Sequence, residues 1–224
     1  MLYIIAKTIG VIPMEFVTSP MEIERRSMEI IAPHLADYNL TPEELKVYSR
    51  IIHASGDVYY APLIKISTGA IASTKAALLN GRDIFTDVEM VRTGINKRAL
   101  SKLGGQVHCR IAAEEIKKIA VDQQITRSMA AMRSFGHALD GGIVAIGNAP
   151  TALFEVLRLI EEENVRPAVV IGIPVGFVGA ADSKAALADQ NLVPYITVEG
   201  TKGGSPIAVA ALNAILYLVN SARD

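Results

Sequence analysis

From about residue 68 to the C-terminus, apolar positions fall into two alternating rhythms. Short β-rich runs stand at 84–86, 107–111, 143–146, 168–173 and 195–198, those at 143–146 and 168–173 nearly continuous in Val, Ile and Ala. Stretches with helical spacing separate or follow them, at 70–79, 114–138, 152–162, 180–189 and 206–219. Continuous apolar runs suit strands buried on both faces, and their alternation with helices predicts βαβ units and a parallel sheet. Ahead of this region, Ser19-Pro20-Met21-Glu22 and Thr41-Pro42-Glu43-Glu44 each place a capping oxygen, a proline and a glutamate where a helix begins. The second helix carries Leu45, Tyr48, Ile51 and Ile52 on one stripe and is expected to end at Ser55-Gly56, so that His53 falls in its last turn. Residues 1–16 are apolar but interrupted by Lys7, Gly10 and Pro13, which predicts a strand or hairpin instead of a signal segment.

The chain has 224 residues, half of them apolar, enough for one sizeable α/β domain. The expected organisation is a single domain over 1–224, with an extension at 1–60 carrying two helices and a βα-repeat core at 68–224. With 22 basic and 23 acidic residues, no global field draws the chain to nucleic acid or an anionic membrane. No apolar run reaches the roughly 20 residues of a membrane span. A single cysteine, Cys109, excludes an intramolecular disulfide and a CxxC motif, which fits a reducing cytoplasm. It is expected to be a buried small residue.

In an open parallel sheet, ligands bind at the carboxyl ends of the strands. Here that edge consists of the loops at 86–87, 108–110, 147–151, 174–179 and 199–205, three of them rich in glycine. A glycine-rich turn entering a helix aims backbone N–H groups and the positive end of the helix dipole at one point, which favours an anion. Gly203-Gly204-Ser205-Pro206 beside Lys202 is the clearest case, and Asn148-Ala149-Pro150-Thr151 offers a second. The same residues also serve ordinary tight turns. No GxGxxG or GxxxxGK[ST] string is present, so dinucleotides and nucleoside triphosphates lose support, while a flavin or mononucleotide site stays open on architecture alone.

Among four histidines, His53 is the best acid–base candidate, because the negative end of a helix favours the protonated ring. Local cues leave open whether it is instead a partly buried residue with a satisfied hydrogen bond. His34, His108 and His137 read more readily as structural. Asp87-Val88-Glu89 has no histidine at ligand spacing, so no metal is expected. Arg127 is read as a carboxylate clamp or a solvated helix residue.

Several strings resemble the precorrin-8X methylmutases, including the cobalt-precorrin-8 methylmutases. The longest are 145–153 (AIGNAPTAL) and 171–180 (IGIPVGFVGA), supported by 86–91 (TDVEMV), Gly94-Ile95, Thr126-Arg127-Ser128, Lys202-Gly203-Gly204-Ser205 and the helix around Ile23-Glu24-Arg25-Arg26-Ser27. Asp182 stands where that family usually has Glu, and Thr201 where it commonly has Arg. The resemblance implies a flavodoxin-like α/β/α domain with a five-stranded parallel sheet, and a homodimer with its active site near the interface. It also implies migration of a methyl group from C11 to C12 of a corrin macrocycle without a cofactor. His53 matches the histidine proposed to protonate that macrocycle. Substrate contacts are expected from Arg25, Ser27, Thr86, Asp87, Arg127, Asn148, Thr151, Val175, Gly176, Phe177, Lys202, Gly203, Gly204 and Ser205, with Val178 adding to an apolar floor. The competing reading from another class is a non-catalytic corrinoid carrier.

Overall fold

Both expected helix starts are present in the computed structural model, which describes residues 2–5 and 14–221. By contact the chain forms two units, Met1–Asn39 and Leu40–Asp224. In the first, strand β1 (Leu2–Ile5) pairs antiparallel with β2 (Met14–Val17), as a hairpin reading of this region requires. The intervening 6–13 lie outside the described residues. Helix α1 (Pro20–Ile31) follows, with the Ser19 hydroxyl accepting from the Glu22 amide.

In the second unit, α2 (Pro42–Ser55) starts with a capping box, Thr41 and Glu44 each accepting the other's backbone N–H. It stops at Gly56, whose φ of +64° is the left-handed turn that glycine adopts without strain. Then come β3 (Ile64–Ile66), α3 (Ala70–Leu79), β4 (Ile84–Thr86), α4 (Glu89–Gly94), α5 (Lys97–Ser101) and β5 (Val107–Cys109). The chain continues through α6 (Glu114–Asp122), α7 (Arg127–Arg133), β6 (Ile143–Ile146), α8 (Pro150–Glu162), β7 (Val169–Gly172), α9 (Ala180–Asp189), β8 (Tyr195–Val198) and α10 (Ser205–Ser221).

The sheet has six strands in the order β3-β8-β7-β6-β4-β5, not five. The five expected strands are all there and mutually parallel. The sixth, β3, pairs antiparallel with β8 at the edge. It is only Ile64-Lys65-Ile66, too short for a period to register. Numbered along the chain, the parallel strands run 2-1-3-4-5 across the sheet, so their order reverses between β4 and β6. The expected helix at 114–138 is also corrected. Gln124 takes a positive φ of +54°, and Thr126 caps a new helix by accepting from the Met129 amide. A left-handed glutamine carries no composition signal, so the break was silent in the sequence.

β6 and β7 are buried along their whole length. Their residues Val144, Ile146 and Val170 join Leu153, Val156, Ile160 and Leu187 from α8 and α9 in one core. On the other side α10 packs against α2, α3, α4 and both central strands. That packing fixes the end of α2, and with it His53, relative to the start of α10.

Outside the loops, the buried charge of Glu155 is paired. Glu155 accepts two hydrogen bonds from Arg133, at 2.8 and 2.9 Å, and two more from Arg158. These guanidinium groups hold its carboxyl below the usual range although burial pushes it up.

Candidate active site

The point where strand order reverses is the usual ligand crevice of an open α/β sheet, and here a side chain of the protein occupies its anion position. Asp87 follows directly on β4 and is fully buried. Its carboxylate accepts the amides of Gly147 at 3.0 Å, Asn148 at 2.9 Å and Ala149 at 2.8 Å. Burial pushes its pKa up, and the three N–H groups pull against that. The 148–151 turn therefore does not offer these amides to an anionic ligand, as the sequence reading expected. The flavin or mononucleotide reading loses its phosphate site for the same reason. Thr86, also fully buried, donates to the His108 carbonyl at 3.1 Å. Both residues shape the loop from behind. Gly147 is required there, since a Cβ would come within 2.7 Å of the Ser205 Cα.

The open cleft lies one loop further along, a cavity of about 480 Å³. Ala54 and Ser55 line it at the end of α2, Asp57 and Tyr60 after α2, Val175 to Phe177 after β7, and Thr201 to Gly203 after β8. The last two loops are stitched together: the Gly176 amide donates to the Thr201 carbonyl at 3.1 Å and the Gly204 amide to the Ile173 carbonyl at 2.9 Å. Gly203 sits at φ +154°, and a Cβ there would meet the carbonyl oxygens of Ile173 and Pro174 at 2.6 Å. Only glycine allows the loops to approach this closely. Phe177 and Val178 are 96% and 89% exposed, giving the cleft a bare apolar rim.

The expected cation of the cleft, Lys202, is already engaged. Its ammonium binds the Asp57 carboxylate and lies over the Tyr60 ring, 5.1 Å from the centroid. Asp57 also caps the turn after α2 by accepting from the Tyr59 amide at 2.9 Å. The Lys202 contact and that amide hold the Asp57 carboxyl below its usual range. Burial pushes the Tyr60 phenol up, opposed by Lys202 and the Gly203 N–H. Asp57 and Tyr60 escaped the sequence reading, because 145 residues separate Asp57 from its partner.

His53 is exposed on the last turn of α2, directly before Ala54 and Ser55 at the cleft. Among the described residues its imidazole has no hydrogen-bond partner. His108 and His137 are tied to Asp83 and Asp140 at 2.8 and 2.7 Å, as structural histidines are. The reading of His53 as a satisfied, partly buried residue is thereby corrected. Of the remaining candidates, Arg127 opens α7 and is exposed, and the Thr151 and Thr126 hydroxyls share a hydrogen bond of 2.9 Å. Asn148 is exposed and Ser205 is buried at the start of α10. In the first unit, Arg25 pairs with Glu22 and Glu29 on its own helix, and Ser27 donates to the Ile23 carbonyl at 2.8 Å. Among the described residues no cluster of His, Cys, Asp and Glu could hold a metal, and no helix is long and apolar enough to cross a membrane.

Comparison with known proteins gives concordant matches. A family model for precorrin-8X methylmutase matches residues 22–218. A cobalt-precorrin-8 methylmutase of Priestia megaterium is 42% identical, over 90% of this chain and 89% of that protein. A precorrin-8X methylmutase of Pseudomonas aeruginosa is 38% identical, over 90% of this chain and 97% of its own. Among solved structures, a precorrin-8x methyl mutase from Thermus thermophilus superposes with a TM-score of 0.80 at 36% identity, covering 89% of this chain and 98% of that one.

Proposed function

The chain belongs to the precorrin-8X methylmutase family, and on that premise we propose that it isomerises a precorrin-8-type macrocycle, with or without cobalt, by moving a methyl group from C11 to C12. The observation that carries the assignment of the acid is the exposed imidazole of His53, without a hydrogen-bond partner among the described residues and directly before the cleft-lining Ala54 and Ser55. An intramolecular methyl shift needs no nucleophile, metal or redox group from the protein. It needs a proton on the conjugated ring system and a fixed geometry. His53 donates the proton, the methyl carbon passes across one face in a 1,5-sigmatropic shift, and the proton is returned as conjugation is restored.

The cleft suits a flat ring edged with carboxylates. Val175, Phe177 and Val178 supply apolar contact, and the loop at 201–205 supplies backbone and side-chain donors. Arg25, Ser27, Arg127, Asn148 and Thr151 remain proposed contacts to the acidic side chains. The strand order 2-1-3-4-5 supports a flavodoxin-like description of the core. We read the chain as one methylmutase domain with an N-terminal extension, acting in the cytoplasm as a homodimer whose partner subunit closes over the apolar rim.

Because Asp57 already neutralises Lys202, a substrate carboxylate must compete for that ammonium. Asp57→Asn keeps the capping oxygen and frees the cation. Its KM for the macrocycle is expected to fall roughly three- to tenfold, the scale of one nearby charge at the surface, with kcat little changed in steady-state assays.

Mixing the purified protein with excess precorrin-8X and following the visible spectrum separates this function from that of a corrinoid carrier. Many turnovers per chain are expected. A spectral change that saturates at one equivalent, with unrearranged pigment recovered, would establish the carrier instead.

A further inference from the structure

Lys184, on α9, is 1% exposed and the largest fully buried side chain among the described residues. An ammonium is costly to bury, and an apolar residue of similar size serves packing better unless the charge is used. It donates to the Lys202 backbone carbonyl at 2.5 Å. Among the described residues no carboxylate pairs with it, and burial alone acts on its charge. Lys202 lines the cleft, so this ammonium stands one peptide group behind the cleft wall. The wall itself carries no net charge. Its charged residues, among those described, are Asp57 and Lys202, and these two form an ion pair.

We propose that Lys184 supplies the net positive charge of the cleft, an ammonium held behind the glycine-rich wall whose counter-charge is a carboxylate of the bound macrocycle. Lys184 acts through the Lys202 peptide and touches no ligand atom, so it is a positioning residue. A charge in the protein interior is weakly screened and acts on an anion across the thickness of one loop. Lys202 does not provide this by itself, since a carboxylate approaching its ammonium must compete with Asp57. Nor is Lys184 needed merely to pin the loop, which the bonds from Gly176 to Thr201 and from Gly204 to Ile173 already tie to the neighbouring strand end. The proposal rests on the carboxylate-edged substrate argued above.

Burial pushes the Lys184 ammonium down to about 8. An anion in the cleft favours the charged form and pulls it back up, so binding near that pH takes up a proton. Affinity is therefore full below about pH 8 and declines as pH rises through it. The other ionisable groups around α9 have partners or stand apart. Lys202 and Asp57 hold each other charged, with Lys202 raised and Asp57 lowered. Burial raises the Tyr60 phenol. On α8, Arg158 pairs with Glu155, Glu162 and Glu163, and Glu161 is exposed. After β8, Glu199 pairs with Lys65. Asp182 and Asp189 on α9 itself are exposed carboxylates, and Tyr195 on β8 is a half-buried phenol. Any inflection from His53 persists when Lys184 is replaced.

Titration calorimetry with cobyrinic acid, a corrin polycarboxylate, tests this in wild type and Lys184→Met. At about pH 7 the variant is expected to bind about tenfold more weakly, the scale of one charge acting across a short stretch of protein. Between about pH 7.5 and 9.5 its Kd should stay nearly level while the wild-type Kd rises to meet it. Near pH 8, two buffers of different ionisation heat should report proton uptake in the wild type that is missing from the variant. A lysine that only tethered the loop gives another pattern, because a neutral amine still donates to the Lys202 carbonyl: the variant would be weaker by the same factor at every pH. That constant offset, an unchanged Kd at pH 7, or proton uptake undiminished in the variant overturns the proposal. Should Lys184→Met fail to fold, Lys184→Gln goes through the same titrations. Failure of the wild type to bind cobyrinic acid at pH 7 overturns the corrinoid reading and the proposal with it, whereas binding without the pH signature overturns the proposal alone.

Discussion

His53→Ala is expected to lower turnover of the precorrin-8 substrate by about 10²- to 10⁴-fold, the usual contribution of a positioned acid. Folding and substrate affinity should be retained. The side chain is exposed and makes no hydrogen bond within the described residues, so its removal leaves neither a cavity nor an orphaned partner. α2 is held by Val47, Tyr48, Ile51 and Ile52 on the opposite stripe, which the substitution does not touch. Single-turnover rates with binding measured separately check this, since loss of kcat at constant Kd marks an interaction made only in the transition state. Near wild-type turnover would remove His53 from the chemistry while leaving family and fold intact.

The second large effect is on stability. Asp87→Asn replaces one carboxylate oxygen by an NH₂ group that must face a backbone N–H. Between one and two of the three loop amides then lose their acceptor inside the protein. Each buried donor left unpaired costs about 1–3 kcal/mol. A loss of about 3 kcal/mol lowers the melting temperature of a chain this size by roughly 6–12 °C. Thermal denaturation checks it, and a shift under about 2 °C would show that the carboxylate does not hold the loop. Activity should fall with it, because Gly147 packs against the first residue of α10 and so couples this loop to the glycine-rich wall of the cleft.

Much of the frame was legible because its signals are local. A capping box, a proline in the first turn and a left-handed glycine at Gly56 are written within four residues of the helix ends they set. The five parallel strands announced themselves by short β-rich runs alternating with helical segments, most clearly the apolar runs of β6 and β7. β3 did not, being three residues long and paired antiparallel with a strand 130 positions away. The break at Gln124 was hidden because nothing but its backbone angle marks it.

The site divides the same way. Its glycine loops and His53 could be placed from the sequence, whereas which donors are free could not. Asp87 takes the amides of a loop 60 residues on, Asp57 takes the ammonium of Lys202, and Lys184 is buried behind that same loop. Such pairings are products of the sheet's strand order, and a reading by local pattern sees a carboxylate or an amine without its partner. The practical consequence is that, of the two anion sites expected from the sequence, the amides at 147–149 are already taken by Asp87, whereas the loop at 201–203 lines an open cleft.

In the proposed reaction, His53 delivers the proton that lets the methyl group move. A crystal structure of the protein with its rearranged product bound tests this most directly. A His53 imidazole nitrogen is expected within hydrogen-bond reach of the macrocycle, about 3 Å, on the side of the ring bearing C11 and C12. A product seated in the cleft with His53 turned to solvent, and another ionisable group in contact with the ring, would contradict it.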